Sequence, residues 1–186
     1  MSRAIRRVVT AHDVSGKAVI ASDELVTDET SWVRPGFAVN RVWGWDVAPT
    51  LPGDASLPAT YDFFPPNGGV RFVVMTLGPD PTEIDPPGIA ASEVVAEFAR
   101  LLPGAARYVD RVDPRFHRTP TVDLAVVLSG RVTVVLDSGD RATLSAGDTF
   151  VQNGTSHAWR NVGPESAQIA FFLAGVSHTD PSSTPP

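Results

Sequence analysis

Apolar and polar residues alternate along many short stretches of the chain, and this period of two predicts β-strands. The clearest stretches follow residue 120. They are rich in β-branched and aromatic residues, and turns containing Gly, Asp or Asn separate them. The six predicted strands cover 122–128, 132–136, 141–144, 149–152, 157–161 and 167–173. Short strands at such spacing are typical of a β-sandwich or a β-barrel.

The N-terminal part of the chain carries fewer strands and more loops. Four segments have the alternation of strands, namely 5–10, 17–22, 37–47 and 70–77. The segments 27–36, 48–69 and 79–88 are polar or rich in proline, which is excluded from central strands, and they predict loops. The pattern therefore indicates a β extension that precedes the main set of strands.

One segment changes to helical spacing. The apolar residues that recur at intervals of three or four are Val94, Val95, Phe98, Leu101 and Leu102. Pro103 and Gly104 then stop the pattern. We therefore expect one helix over about 89–102, which packs an apolar stripe on the outside of the sheet.

Composition and charge narrow the class of protein. The 186 residues carry a formal charge of −6 without a long basic run, which disfavours a nucleic-acid partner. The absence of cysteine excludes disulfides and thiolate metal sites. No apolar run approaches the roughly 20 residues that cross a bilayer, so the expected location is the cytoplasm and no membrane partner is expected.

We expect one structural domain with three parts. Residues 1–106 supply strands, proline-rich loops and the helix, residues 107–176 form the barrel, and residues 177–186 form a disordered polar tail.

Polar side chains gather on two of the predicted strands. His117, Thr119, Thr121 and Asp123 are spaced by two, so on one strand they share a face. Later in the chain, His157, Trp159 and Asn161 repeat that spacing. An antiparallel sheet folded on itself brings these two sets together in its interior.

The spacing of these residues resembles the cupin family. The first family motif, G-x5-H-x-H-x3,4-E-x6-G, is matched by His117, Thr119, Asp123 and Gly130. The second, G-x5-P-x-G-x2-H-x3-N, is matched by Gly147, Gly154, His157 and Asn161. Thr119 stands at the position of a family His and Asp123 at that of the Glu. The resemblance is to a small single-domain bacterial cupin, and it implies an all-β jelly-roll barrel.

The resemblance also implies a site in the barrel, with catalytic roles for His117, Asp123 and His157. Two imidazoles and one carboxylate are a set that binds a divalent metal, and Fe, Mn, Ni or Zn would suit it. A second interpretation is acid–base catalysis by the same groups without a metal. A third is a buried hydrogen-bond network that joins His117 and Asp123 to Thr119, Thr121 and Gln152.

The predicted function is that of a small-molecule enzyme with dehydratase, isomerase or oxygenase-like chemistry. The alternative is a non-catalytic cupin that binds a small ligand or assists another protein. The candidate substrate-binding residues are Thr119, Thr121, Gln152, Trp159, Trp43 and Trp45. For Trp43 and Trp45, a place in the core or in a dimer interface is the favoured interpretation, because aromatic side chains usually serve burial. Because both faces of 122–128 are apolar, a homodimer is expected.

Overall fold

The computed structural model describes residues 4–53, 55–56, 62–80, 90–113 and 115–177. The described residues form eleven β-strands, one α-helix and one short 3₁₀ helix. The strands are β1 (Ile5–His12), β2 (Ala18–Val26), β3 (Glu29–Thr30), β4 (Ala38–Trp45), β5 (Val70–Leu77), β6 (Thr121–Ser129), β7 (Arg131–Leu136), β8 (Arg141–Ser145), β9 (Thr149–Asn153), β10 (His157–Arg160) and β11 (Ala167–Gly175). The helix α1 covers Ala91–Leu101 and the 3₁₀ helix covers Ala105–Tyr108.

Each of the ten predicted strands is present, with bounds that differ by a few residues. The structure adds one strand that was not predicted, the short β3, which lies in the segment 27–36 that the sequence predicts as loop. It pairs with the start of β4 through Glu29 and Thr30. The predicted tail beyond Ser177, residue 89 of the predicted helix and residues 81–88 of a predicted loop lie outside the described residues.

Two antiparallel sheets build the main body. The larger has the strand order β3-β4-β5-β11-β6-β9, and the smaller has the order β10-β7-β8. Their inner faces share one apolar core, to which Val73, Ile169 and Phe171 come from the large sheet and Val132 from the small one. This packing of two sheets is a jelly-roll arrangement, and the predicted all-β fold is confirmed.

The predicted N-terminal extension is a two-stranded hairpin of β1 and β2. It is tied to β4 by side chains from both partners. The Arg7 guanidinium donates to the Val42 carbonyl at 2.7 Å, and the Asn40 amide donates to the Val26 carbonyl at 3.1 Å. The hairpin therefore covers part of the outer face of the large sheet.

A β-bulge in β4 changes which side chains face the core. The register with β5 shifts between Arg41 and Trp43, so Arg41 lies opposite the inward-facing Val73 whereas Trp43 lies opposite the outward-facing Phe72. An extra residue in one strand inverts the alternation beyond it. Regular alternation along 37–47 would place Trp43 and Trp45 on the same face as Phe37, Val39 and Arg41, and the bulge moves the two tryptophans to the other face.

Helix α1 covers the core through its C-terminal half. Leu101 is 1% exposed and Phe98 packs against the same core, so the apolar stripe is confirmed, but it packs on the core between the sheets and not on the outside of a sheet as expected. Val95 is 58% exposed and lies off the buried stripe. The helix start is stabilised by the Glu93 carboxylate, which accepts from the Ala90 backbone N–H at 3.0 Å.

Tight turns join the strands that carry the motif. Gly130 connects β6 to β7 with φ +73°, and a Cβ there would lie 2.8 Å from Ala167. Both the left-handed backbone and the lack of space require glycine at this position. Within the described part of the chain, no helix has the length and apolar character needed to span a membrane.

Candidate functional site

His117 and His157 lie side by side in the interior. Their backbones exchange two hydrogen bonds, from His117 N–H to the His157 carbonyl at 3.0 Å and from His157 N–H to the His117 carbonyl at 3.1 Å. Opposite residues of an antiparallel pair place their side chains on the same face. The two imidazole rings accordingly have centroids 4.3 Å apart.

The turn before β10 fixes the orientation of the His157 ring. The carbonyl of Thr155 lies 3.0 Å from His157 Nδ1, and because a carbonyl can only accept, Nδ1 carries the proton. The same carbonyl accepts from the Gln152 amide nitrogen at 2.5 Å, and the Thr155 hydroxyl lies 2.6 Å from that nitrogen. This assignment leaves the lone pair of neutral His157 on Nε2.

Burial keeps both histidines neutral. Desolvation by burial, together with a smaller effect of the neighbouring His157, lowers the pKa of His117 to about 3. Burial also lowers the pKa of His157, against the opposing effect of the bond to Thr155. His157 is 2% exposed, whereas His117 is half-buried and keeps one part of its surface accessible.

Aromatic rings surround the histidine pair. The Phe64 ring lies 6.4 Å from the His117 ring on one side, and the Trp159 ring lies 6.2 Å from the His157 ring on the other. Trp159 in turn packs edge-to-face on Phe171 at 5.6 Å and on Phe150 at 5.4 Å. The predicted placement of Trp159 beside His157 is therefore observed, in a largely apolar setting.

Asp123 lies on the inner face of the large sheet. It is 5% exposed, and it lies opposite Gln152 of β9 and Leu173 of β11. Its Oδ1 atom is buried and has no hydrogen-bond partner within the protein. Burial raises the pKa of Asp123 to about 6, and the Thr121 hydroxyl opposes this rise.

The donor groups do not fit the predicted metal site. Among the described residues, no three His, Cys, Asp or Glu side chains come close enough together to hold a metal ion. Asp123 therefore does not complete a ligand set with His117 and His157. The hydroxyl of Thr119, at the family's second His position, instead bonds with the Thr121 hydroxyl at 2.8 Å.

The predicted polar network exists only in separate parts. Thr119 and Thr121 form one buried pair, and Gln152 bonds to Thr155. Asp123 Oδ1 stands outside both sets. The structure thus brings the two histidines together and leaves the Asp123 carboxyl group apart from them, beside the Thr121 hydroxyl.

Trp43 and Trp45, predicted as substrate-binding residues, lie away from the histidines. The Arg7 guanidinium stacks over the Trp43 ring at 5.5 Å, which places this side chain under the N-terminal hairpin. Trp45 ends β4, and its carbonyl accepts from Arg71 at 2.9 Å. The physical reason is the bulge in β4, which turns both residues to the outer face.

The final Asn of the second motif has a structural role. Asn161 is wholly buried, and its amide nitrogen donates to the carbonyls of Leu77 at 2.9 Å and Glu165 at 2.8 Å. Its side-chain oxygen accepts from the Gly163 N–H at 3.0 Å. It therefore ties the end of β10 to β5 and to the next loop.

Two residues of the site are absent from the sequence prediction. Thr155 has a weak signal, since it stands in the turn immediately before the motif histidine. Phe64 has none, because a proline-rich loop more than fifty residues away in the chain supplies it. Only the folded topology places that ring beside His117.

Comparisons with known proteins agree with this architecture. The family model Cupin_2, a cupin domain, matches residues 101–173. The chain is similar to the Oryzines biosynthesis cluster protein J of Aspergillus oryzae, with 41% identity over 78 residues, or 39% of this chain and 42% of that protein. It is also similar to the cupin-domain-containing oxidoreductase fogC of Aspergillus ruber, with 26% identity over 163 residues, or 87% and 66% of the two chains.

Solved structures give a likeness of fold. A putative ethanolamine utilization protein q from Salmonella typhimurium aligns with 94% of this chain and 99% of its own, at 12% identity and a TM-score of 0.42. Likeness at that level carries no argument about activity. The chain spans less than half the length of the first curated relatives that it matches.

Proposed function

We propose that this chain, whose residues 101–173 match the cupin domain model, is a small-molecule enzyme of the cupin type that uses His157 for acid–base catalysis. The substrate binds beside the histidine pair, and His157 Nε2 accepts a proton from it. His117, whose ring is 4.3 Å away, forms the adjoining wall and helps to hold the substrate.

The bond between His157 Nδ1 and the Thr155 carbonyl carries this proposal. It supports the tautomer in which Nε2 is the proton acceptor, in a ring that is neutral at physiological pH. A base must be both unprotonated and correctly oriented before the substrate arrives. The backbone of the 153–156 turn supplies that orientation.

The setting favours reactions in which the proton is returned. A charged imidazole is costly among Phe64, Trp159 and Phe171, so His157 must lose its acquired proton within the same cycle. In an isomerisation the proton returns to another substrate atom. In a dehydration it leaves with the departing hydroxyl group as water. These two reaction types are therefore the ones we propose.

Oxygenase-like chemistry ranks below them. Cupins commonly bind divalent metals, and two of the curated relatives, fogC and srdD, are described as cupin-domain-containing oxidoreductases. In this chain the predicted ligands His117, Asp123 and His157 do not form a group that could hold Fe, Mn, Ni or Zn. No step of the proposed reaction passes through a metal.

Replacement of His157 by Gln tests the proposed role. Gln keeps a donor and an acceptor, so we expect modest loss of stability and a loss of turnover of about 10²–10⁴-fold. The measurement is turnover of isomerisable and dehydratable small organic acids, with a thermal melt of the same protein. His12→Gln is the matched control, because His12 is exposed on the hairpin. A fully active but destabilised His157→Gln protein would refute the role.

A non-catalytic binding protein is the second candidate. It is favoured by one observation: a cavity of about 460 Å³ among the described residues is lined by Thr119, Thr155 and Ser156 and by neither His117 nor His157. A separate experiment, addition of a divalent metal to the same protein, tests whether the mechanism is independent of metal. A chelator-reversible rise in melting temperature on addition of Fe, Mn, Ni or Zn would contradict the metal-independent mechanism.

We also propose that the chain forms a homodimer through the outer face of the large sheet. A row of apolar side chains crosses four strands there, in register, through Phe72, Phe172, Leu124 and Val151. Leu124 is 50% and Val151 55% exposed. Because this row carries no charged side chain, it can pack against the same row of a second copy that is related to it by a two-fold axis.

The outer-face row is tested by Leu124→Glu. We expect the dimer to dissociate, as measured by light scattering after size-exclusion chromatography. Val112→Glu is the control, since Val112 is 94% exposed and lies in the loop between the 3₁₀ helix and β6, outside the strands of the large sheet. A wild-type monomer at high concentration would contradict the dimer.

A further inference from the structure

Gln152 of β9 is a buried amide that bonds to the turn before His157. It is 2% exposed, and strand pairing places it directly opposite Asp123 of β6. Its amide nitrogen lies 2.5 Å from the Thr155 carbonyl oxygen and 2.6 Å from the Thr155 hydroxyl oxygen. A primary amide has two N–H groups, so both of them are used on this one residue of the turn.

The neighbouring carboxyl group shows that this bonding is selective. Side chains that lie directly opposite on one face of an antiparallel pair are within reach of each other. Asp123 Oδ1 is a buried acceptor without a hydrogen-bond partner among the described residues, yet the Gln152 amide donates to Thr155. An unpartnered buried oxygen lowers stability. The fold therefore keeps the two bonds to Thr155 in place of a bond that would stabilise the carboxyl group.

The residue that Gln152 holds lies at the surface. Thr155 is exposed, and Gly154 before it has φ +60°. A backbone bond joins the turn to the end of β7, from the Asp137 N–H to the Ser156 carbonyl, and it is long at 3.4 Å. Exposed turns of this kind open more easily than the core does. Two short bonds from a buried side chain therefore restrict where the Thr155 carbonyl lies.

The Thr155 carbonyl oxygen joins Gln152 to the histidine. It accepts from the Gln152 amide and also from His157 Nδ1, which lies 3.0 Å away. A carbonyl oxygen has two lone pairs, so the two bonds are compatible. If this carbonyl moved or rotated, its bond to the His157 ring would be lost, and with it the preference of the ring for the Nδ1-protonated form.

We propose that Gln152 is a positioning residue for His157, and that it acts through the Thr155 carbonyl without contacting the substrate. This role rests on the proposed function of His157 as a base. It differs from direct binding of the substrate, because both N–H groups of the amide are already bonded within the protein. A buried side chain of β9 thereby determines which ring nitrogen of a histidine on β10 holds the proton.

The test is the variant Gln152→Met, which keeps the approximate length of the side chain and removes both N–H groups. Nitrogen NMR of the full chain at pH 7 measures the ratio of the Nδ1–H form to the Nε2–H form of the His157 ring. We expect this ratio to fall by about two- to tenfold, the net equilibrium value of one hydrogen bond. A thermal melt of the same sample shows whether the variant is folded.

Gln168→Met is the matched control. The Gln168 amide donates to the Thr76 hydroxyl at 3.2 Å, so the variant removes the same kind of bond from the same sheet. Gln168 lies opposite Ser129, which is at the other end of β6 from the residue that pairs with Gln152. We expect the His157 ratio in this control to equal that of wild type, whatever its effect on the melting temperature.

Thr155→Val is a second variant at the turn. It removes the hydroxyl group and keeps the backbone carbonyl, so one of the two bonds from Gln152 remains. We expect the His157 ratio to fall, but by less than in Gln152→Met. If Gln152→Met does not fold, this variant decides the question: a reduced ratio would support the positioning role, and a wild-type ratio would overturn it.

Failure of this proposal and failure of the proposed function give different results. A ratio that is unchanged in folded Gln152→Met, or that falls equally in Gln168→Met, would overturn the positioning role and leave His157 as the base. A wild-type His157 ring that is charged or protonated on Nε2 would overturn the proposed function, and the positioning role with it.

Discussion

The two walls of the barrel interior carry buried ionisable groups of different kinds, imidazoles on one and a carboxyl group on the other. On one wall, the His157 ring is oriented by Thr155 and accompanied by His117. On the other, Asp123 is equally buried, but its Oδ1 has no partner in the protein. The histidine wall holds a neutral, oriented imidazole, whereas the carboxyl wall holds one unpartnered carboxyl oxygen, and burial raises the pKa of that carboxyl group to about 6.

The difference shows what a sequence motif guarantees. Motif spacing places a side chain on an inward face, since alternation in a strand decides that. Motif spacing does not ensure that side chains of different length, on different sheets, converge on one point. Asp123 is one methylene group shorter than the Glu of the family motif, and Thr119 bonds to its neighbour Thr121. The motif residues lie on inward faces as in the family pattern, but among the described residues they do not form a metal-ligand cluster.

The largest effect is expected on the histidine wall, from Asn161→Ala. The change leaves the carbonyls of Leu77 and Glu165 and the N–H of Gly163 without their partner in a fully buried place. We expect a loss of about 3 kcal/mol in the free energy of unfolding, measured by denaturant melts. Asn153→Ala, at an exposed position of β9, should change it by less than about 0.5 kcal/mol. Equal small changes in both variants would contradict the anchoring role of Asn161.

A smaller effect is expected on the carboxyl wall, from Asp123→Asn. Between pH 3.8 and about 6, folded Asp123 holds more proton than it does in the unfolded chain. Its contribution to stability is therefore complete below pH 3.8 and is lost as the pH rises through about 6. Asn does not titrate. The stability of the variant relative to wild type should thus rise by about 2–3 kcal/mol from pH 3.5 to pH 7.

Paired denaturant melts at several pH values measure this relative stability. A difference between variant and wild type that stays constant with pH would mean that Asp123 titrates normally in the folded protein. The carboxyl wall would then differ less from the histidine wall than the burial of Asp123 indicates.

Much of the fold follows from local pattern. Alternation and turn residues locate the strands of the barrel, and the period of three to four residues locates α1. The strand β3 is missed because two residues have no detectable period. The orientation of Trp43 and Trp45 is missed because a single inserted residue in β4 inverts the pattern, and a period of two cannot reveal an insertion.

The candidate site is predictable only in part. His157 and Trp159 share a face because they are two residues apart on one strand. His117 lies beside His157 because the segments that carry the two family motifs pair with each other at these residues. The Phe64 ring depends on how a distant loop folds over the barrel, which no local pattern encodes. The tautomer of His157 depends on one backbone carbonyl, and this too requires the folded turn.

The central claim is that His157 is a neutral base whose proton lies on Nδ1. Nitrogen NMR of the histidine side chains at pH 7 measures this directly, through the shifts and couplings of the two ring nitrogens. We expect a neutral ring with Nδ1 protonated, and we expect the His117 ring to remain neutral as the pH falls toward about 3. A His157 ring that is charged at pH 7, or that carries its proton on Nε2, would contradict the account.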